Sequence, residues 1–191
     1  MRPLNFPIGL AARPRRDSFL PVRLRQTLCI IGLLLLPAAT LRAAAVNAQV
    51  FSVAGTVEFA GPGSSSYAPL KKGQILAIGS TVRTGDNGVA VLVTTPGSAI
   101  QLGNNSILKI NKLAFAKSGG SVTQRTAVLQ LNSGVVSALI DPSTPKITDF
   151  QVQTPEGAAA ARGTFYAVLV YHGKTYVGVK EGKVGVSSAG Q

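Results

Sequence analysis

Apolar and polar residues alternate in short runs from Gln49 to the end of the chain, and turn-forming residues separate these runs. The runs are rich in Val, Ile, Thr and aromatic residues, whereas Gly, Asn and Pro interrupt them about every ten residues. No window of about eleven residues sustains the i, i+3, i+4 and i+7 apolar spacing of an amphipathic helix. The pattern predicts a single all-β domain of many short strands, either sandwich-like or like a short β-solenoid.

Two central runs make more specific predictions. Residues 127, 129 and 131 are apolar and Gln130 is polar, so one face of that strand should be buried. Residues 89–93 are apolar on both faces, which predicts a strand buried between layers or deep within a sheet. Residues 132–134 are Asn-Ser-Gly, and this turn signal predicts that the strands before and after it are separate.

The segment 152–173 combines a helix signal with a strand signal. Residues 158–161 are four consecutive alanines, but Gly157 and Gly163 flank them, and a glycine costs about 1 kcal/mol inside a helix. Residues 164–171 then alternate with the period of a strand. We therefore predict a strand there, preceded by a place where another chain segment crosses closely, since small side chains allow such an approach.

The N-terminal 48 residues have the composition of an export signal. Several arginines precede an apolar stretch over residues 27–41, and Val46-Asn47-Ala48 fits a small-x-Ala cleavage site. We expect a signal peptide over residues 1–48 and an exported domain over residues 49–191, in the periplasm or at the cell surface. The alternative is an uncleaved anchor in the cytoplasmic membrane, although the apolar stretch is shorter than the roughly 20 residues that span a bilayer.

The charge of the chain argues against nucleic-acid binding. Half of the formal net charge of +12 lies in the predicted signal segment, and the remaining cations are scattered, with Lys71 and Lys72 as the only neighbours. A nucleic-acid interface usually shows a basic stripe with stacking aromatics. The single cysteine, Cys29, also lies in the signal segment, so the domain should depend on its hydrophobic core rather than on disulfides.

Candidate catalytic and metal-binding residues are sparse. His172 is the only histidine, no G-x-S-x-G elbow accompanies it, and we expect it to be an exposed strand-end residue. Asp86-Asn87-Gly88 has the composition of a turn rather than of a Ca²⁺ loop. We predict no catalytic residue, no metal site and no cofactor. The sequence does not give the separation of Glu58, Glu156 and Glu181, on which a glycosidase pair would depend.

The tyrosines outside the signal segment could form part of a carbohydrate platform, although packing in strands with the hydroxyls at the rim is favoured. These residues are Tyr67, Tyr166, Tyr171 and Tyr176.

Two segments resemble, in order, the two halves of the FecR-type periplasmic domain. The first covers residues 69–111 and the second residues 152–170, while residues 179–186 match the closing strand pair. The matching positions that we take as structural motif candidates are Gly73, Gly79, Thr84, Gly97, Thr154, Pro155, Arg162, Gly163, Thr164 and Gly182.

This resemblance implies an all-β module, solenoid-like or sandwich-like, outside the cytoplasmic membrane. Well-known members of the family receive a signal from an outer-membrane transporter and pass it to a cytoplasmic sigma factor through an N-terminal anti-sigma segment. The residues before the apolar stretch are too few and too rich in Arg and Pro to form that segment. We therefore expect the exported module without the sigma-binding half.

Arg162 is the motif residue with the most distinctive chemistry. Its guanidinium could bind an anion or a partner's carboxylate. The favoured interpretation is that it bonds carbonyl groups left unpaired by the irregular crossing, because buried polar groups need partners. On that interpretation, Arg162→Ala lowers the unfolding midpoint without abolishing a binding activity.

The function expected from these features is that of a non-enzymatic, exported FecR-like domain. It would bind another envelope protein, by an edge strand or a sheet face, in envelope sensing or signal transduction. The alternative is a structural or adhesive surface module that binds polysaccharide.

Overall fold

The computed structural model describes residues 44–189, and these residues form fifteen strands and one short 3-10 helix at Pro145–Ile147. The prediction of an all-β domain with many short strands is confirmed. In chain order the strands are β1 (Ala44–Ala45), β2 (Ala48–Ala54), β3 (Val57–Ala60), β4 (Ala68–Pro69), β5 (Ile75–Leu76), β6 (Thr81–Thr84), β7 (Val89–Thr95), β8 (Ser98–Leu102), β9 (Ile107–Ser118), β10 (Ser121–Ile140), β11 (Thr148–Thr154), β12 (Gly157–Ala161), β13 (Phe165–Tyr171), β14 (Lys174–Glu181) and β15 (Val184–Ser188).

The strands form two sheets that share β10. The first sheet has the order β4-β3-β6-β9-β10-β11-β12-β15, and β1 pairs with the far part of β9. The second sheet has the order β5-β2-β7-β8-β10-β13-β14. The β10–β11 pair is parallel, whereas the other pairs are antiparallel. Buried side chains from both sheets belong to one hydrophobic cluster, so the fold is sandwich-like.

Strand β10 passes from the first sheet to the second at Gly134. Its earlier residues pair with β9 and β11, and its later residues pair with β8 and β13. The predicted separation at residues 132–134 is therefore wrong. Gly134 has φ +84°, which bends the strand without ending it, and a Cβ there would lie 2.1 Å from the Ser106 hydroxyl oxygen. That hydroxyl donates to the carbonyl oxygen of Asn104 and accepts from the amide of Val135, at 3.0 and 2.9 Å.

The inward face of β10 agrees with the alternation in the sequence. Ala127, Leu129 and Leu131 are buried, whereas Gln130 lies on the opposite face. Of the two alternatives predicted for residues 89–93, a position within a sheet is confirmed, because β7 pairs with β2 on one side and with β8 on the other, whereas burial between layers holds on one face only. Ala90 and Leu92 are fully buried, but the alternate valines are half-buried, because no other layer of the described chain covers their side of β7.

The alanine-rich segment is itself a strand. Strand β12 lies between β11 and β15, and the predicted strand at residues 164–171 is β13. The predicted close crossing is confirmed at Gly163, where a Cβ would lie 2.5 Å from Cα of Pro142. The alanines also belong to the first sheet, because β12 pairs with β11 on one side and with the edge strand β15 on the other.

The predicted signal segment lies mostly outside the described residues. The apolar stretch 27–41 is among the residues not described. Strand β1 pairs with β9, and Ala48 is fully buried opposite Leu76. Removal of residues 1–48 stays a prediction. Within residues 44–189, no helix is long and apolar enough to cross a membrane.

Candidate functional site

The outward side of the second sheet carries a mostly apolar surface, which we call the apolar face. It consists of the outward side chains of β7, β8, β10 and β13. The strand register places Val93, Ala99, Leu139 and Phe165 side by side in one row across these four strands. The other apolar members are Val89, Val91, Val135, Ala167, Leu169 and Tyr171.

The apolar face is exposed and uncharged. Leu139 and Tyr171 are 60% and 61% exposed, and Gln101 and Ser137 are the polar residues between the apolar rows. No charged side chain stands at an outward position on these four strands. A contiguous apolar surface of this kind usually marks an interaction site, because isolated soluble domains rarely expose one.

Two neighbouring strands extend the apolar face. A bulge in β2 places Phe51 outward beside Val91, and Phe51 is 62% exposed. Ile75 of β5 lies opposite the outward Gln49 and is 54% exposed. On the other side, Tyr176 of β14 pairs with Leu169. The apolar surface therefore continues to β5 on one side, whereas on the other side it is bordered by charge, because Lys180 Nζ of β14 lies 5.0 Å from the centre of the Phe165 ring.

The outward side of the first sheet is polar by contrast. The side-chain amide of Asn111 donates to the side-chain oxygens of Gln153 and Gln130, at 3.1 and 3.4 Å. The amide of Gln130 in turn donates to Asn132, at 3.0 Å. The two outward faces thus differ in chemistry, and the apolar one is the better candidate for protein contact.

The sequence-predicted motif residues lie at separate places. Gly163, Thr164 and Gly182 meet at one end of the molecule, where the Thr164 hydroxyl donates to the carbonyl oxygen of Lys183. Gly97 lies at the same end, since its carbonyl oxygen accepts from the amide of Asp141. Arg162 directly precedes Gly163 at this end, and the remaining motif residues, which lie elsewhere, are Gly73, Gly79, Thr84, Thr154 and Pro155.

Those remaining residues form local hydrogen bonds and turns. The Thr84 hydroxyl donates to the carbonyl oxygen of Gly103 and accepts from the amide of Ser106, at 2.6 and 2.9 Å. The Thr154 hydroxyl donates to the carbonyl oxygen of Gly157 next to Pro155. The structure therefore does not gather the motif residues around one ligand-sized site.

The interpretation of Arg162 as a buried, carbonyl-bonding residue is wrong. Its side chain is exposed, and it forms no hydrogen bond or ion pair within residues 44–189. It follows β12, the strand of alanines, which pairs with β11 on one side and with β15 on the other. Arg162 and Lys183 line the same shallow depression with Asp149.

The buried arginine of this fold is Arg125, which the sequence reasoning missed. Its Nη1 donates to the Thr144 hydroxyl at 3.0 Å, and Nη2 lies 3.8 Å from a carboxylate oxygen of Asp141. A Cβ at Gly97 would lie 2.8 Å from Nη2, so the glycine leaves the space that the guanidinium occupies. The sequence does contain a signal for this burial. Arg125 is two residues before the buried Ala127, so both side chains lie on the same face of β10.

Asp141 is held in its charged form by this arrangement. Its pKa is lowered, first by the hydrogen bond from the backbone of Ser143, then by the Ser143 hydroxyl, and also by the charge of Arg125. The amide and the hydroxyl of Ser143 both donate to its carboxylate, at 2.9 and 2.8 Å. The loop after β10 is therefore tied to the buried guanidinium.

The residues considered for catalysis are dispersed. His172 is exposed in the turn between β13 and β14, as predicted, with its ring 4.1 Å from that of Tyr171. Glu58 forms an ion pair with Arg83 at 2.7 Å. Glu156 accepts a hydrogen bond from the amide of Thr175. Among residues 44–189, no group of three or more His, Cys, Asp and Glu side chains could hold a metal ion.

The tyrosines do not form one platform. Arg83 stacks over the ring of Tyr67 at 3.9 Å, and Tyr171 and Tyr176 lie on or beside the apolar face. Tyr166 is buried in the core, so the prediction of a rim position is wrong for this residue. Within the described chain its hydroxyl has no hydrogen-bond partner.

Replacing Tyr166 with phenylalanine is expected to raise the free energy of unfolding by about 1 kcal/mol, because an unpaired buried hydroxyl is removed. Burial also raises the pKa of Tyr166. A raised pKa in the folded state lowers stability as the pH rises above the unfolded value of about 10. Urea unfolding of both proteins between pH 8 and 11 should show that the difference between their free energies of unfolding increases with pH. A less stable variant would contradict this.

Comparison with known proteins agrees with the resemblance in the sequence. A family model described as FecR protein matches residues 80–185, a span that runs from just before β6 into β15. No curated protein and no solved structure matches the chain. Domains of this family are typically periplasmic and serve in regulation and sensing across the envelope. Because the model covers more than half of the chain and its all-β core, the chain belongs to the FecR family.

Proposed function

We propose that this chain is a non-enzymatic FecR domain that binds another envelope protein through its apolar face and so takes part in envelope signal transduction. The observation that supports this is the uncharged, exposed surface across β7, β8, β10 and β13. The family match adds the signalling context.

The size of the apolar face suits a protein partner. Seven strands lie side by side from β5 to β14, so at about 4.8 Å per strand the second sheet is about 30 Å wide. One partner in a standard interface contributes about 800 Å². Burial of apolar surface contributes about 25 cal/mol per Å² before the costs of association. Since the apolar side chains are concentrated in the central rows, most of the driving force would come from there.

The absence of enzymatic function is supported by the dispersal of the reactive groups. His172 lies in an exposed turn, and Glu58 and Glu156 bond to other residues. Catalysis needs an acid, a base and a nucleophile that converge on one reacting atom. We further propose that the motif residues act as turn and hydrogen-bonding residues of the scaffold.

Export of the domain is also part of this proposal. Residues 1–48 would be removed as a signal peptide, or would remain as an anchor, and the mass of the purified protein distinguishes the two. The polysaccharide-binding alternative would depend on Tyr171 and Tyr176, because Tyr67 is covered by Arg83 and Tyr166 is buried. A glycan array tests it.

Site-specific photo-crosslinking in cells tests the protein-binding function. A photoreactive amino acid at position 139 is expected to form an adduct with one envelope protein, because Leu139 lies in the central row of the apolar face. The same amino acid at position 109 serves as the control, since Lys109 is exposed on the polar outward side of the first sheet.

A second substitution makes the test specific. Leu169→Lys introduces a charge two rows away on the same face and should abolish the adduct from position 139. Equal adducts from positions 139 and 109, or an adduct that survives Leu169→Lys, would contradict the proposal.

A further inference from the structure

Within residues 44–189 the two sheets have five edge strands, and four of them are protected against pairing with another strand. Strand β4 has two residues and contains Pro69, and β1 and β5 also have only two residues each. Strand β14 carries Lys174, Lys180 and Glu181. Short length, proline and charged side chains are the usual devices that prevent strand addition at an edge.

The fifth edge strand, β15, has none of these devices. Its five residues are Val-Gly-Val-Ser-Ser, without charge or proline, and among the described strands it pairs with β12 alone. Val186 at its centre is 66% exposed. An uncharged edge with an exposed apolar residue offers both unpaired backbone groups and an apolar contact to an incoming strand.

An apolar cleft lies beside this edge. It has a volume of about 140 Å³ and is lined by Val186 of β15, Val177 of β14 and Ala159 of β12 among others. The strand register shows that Val186 lies opposite the buried Ala159, so its side chain is on the core side of the first sheet. A strand added to β15 would place every second side chain over this cleft.

The end of β15 near residue 183 carries two cations and one carboxylate, so its net charge is positive. Lys183 precedes the strand, and Arg162 follows β12 directly beside it, because Ala161 pairs with Val184. Asp149 lines the same depression. Both cationic side chains are exposed. A carboxylate near the end of an incoming strand would meet these two cations.

We propose that β15 is a docking edge for an extended segment of another protein, apolar at every second residue, uncharged in its centre and acidic at the end that meets Lys183. This inference rests on the protein-binding function proposed above, but it uses a different surface. The backbone hydrogen bonds would supply affinity, and the cleft would select the apolar positions.

A synthetic peptide, fluorescein-Ser-Val-Ser-Val-Thr-Val-Glu, tests this docking edge by fluorescence anisotropy with the full-length chain. Saturable binding is expected. Val186→Lys should weaken binding by at least about tenfold, because a charge replaces an apolar contact worth roughly 1.4 kcal/mol. Val179→Lys is the matched control, since Val179 is 47% exposed on the already charged β14, and it should change affinity by no more than about twofold.

A second control separates strand addition from general stickiness. The same peptide with N-methylated central amides cannot form the backbone bonds and should not bind. The proposal would be overturned if the unmodified peptide does not bind, or if the N-methylated peptide binds equally well. It would also be overturned if Val179→Lys weakens binding as much as Val186→Lys does. A concentration-dependent dimer of the full-length chain that Val186→Lys abolishes would assign the edge to a second copy instead.

The outcome for the docking edge is independent of the outcome for the apolar face. If the peptide fails to bind while position 139 still forms its adduct, the docking edge alone is refuted. If the peptide binds while position 139 forms no adduct, the apolar face is refuted and the docking edge stands.

Discussion

Gly134→Ala is expected to lower the free energy of unfolding by about 3 kcal/mol or more. A left-handed φ costs a residue with a side chain roughly 1–2 kcal/mol. The new Cβ would also lie 2.1 Å from the Ser106 hydroxyl oxygen, which would have to give up its bonds to Asn104 and Val135. Domains of this size are stable by only about 5–15 kcal/mol, so much of the fold's stability would be lost.

Gly178→Ala is the matched control for this variant. Gly178 lies in β14, and a Cβ there would have no heavy atom within 4 Å. Its stability should stay within about 0.5 kcal/mol of the unsubstituted protein. Urea unfolding followed by circular dichroism measures both variants. Similar midpoints for the two would contradict the importance of the bend in β10.

Arg125→Ala is expected to lower the free energy of unfolding by about 2–4 kcal/mol, whereas Arg162→Ala should change it by less than about 0.5 kcal/mol. Loss of the Arg125 side chain leaves a cavity and removes the hydrogen bond to Thr144. Asp141 would lose its nearby cation, but its carboxylate is partly exposed and can be solvated. Arg162 contributes little because its side chain already lies in water.

Thermal unfolding of the two arginine variants side by side provides the measurement. A larger loss in Arg162→Ala than in Arg125→Ala would restore the sequence-based interpretation of Arg162. A small loss in both would show that Arg125 is replaceable by water and neighbouring side chains.

The sequence predicted the fold class because local patterns determine it. Alternation in β10 identified the buried side of Leu129, and the glycines around the alanines correctly argued against a helix. The prediction that two strands are separated at residues 132–134 is wrong because Asn-Ser-Gly occurs both in turns that end strands and in bends within a strand. Whether hydrogen bonding continues through such a glycine depends on Ser106, which is distant in sequence.

The candidate site was harder to predict, because exposure depends on the tertiary arrangement. The valines of β7 alternate with buried residues and differ from them only in what packs above them. The burial of Arg125 is not predicted because arginine is usually exposed. Its spacing of two residues from the buried Ala127 nevertheless indicates that it lies on the inward face of β10. Arg162 was misplaced because small neighbours can indicate either burial or close strand packing.

Strand β10 is hydrogen-bonded in both sheets and so connects them through one continuous backbone. Residues 134–139 of β10 contribute side chains to the apolar face, and residues 125–130 of the same strand are bonded to both β9 and β11. The two halves of β10 belong to one continuous strand, so the backbone beneath the apolar side chains is also the backbone that holds β9 and β11 together in the first sheet.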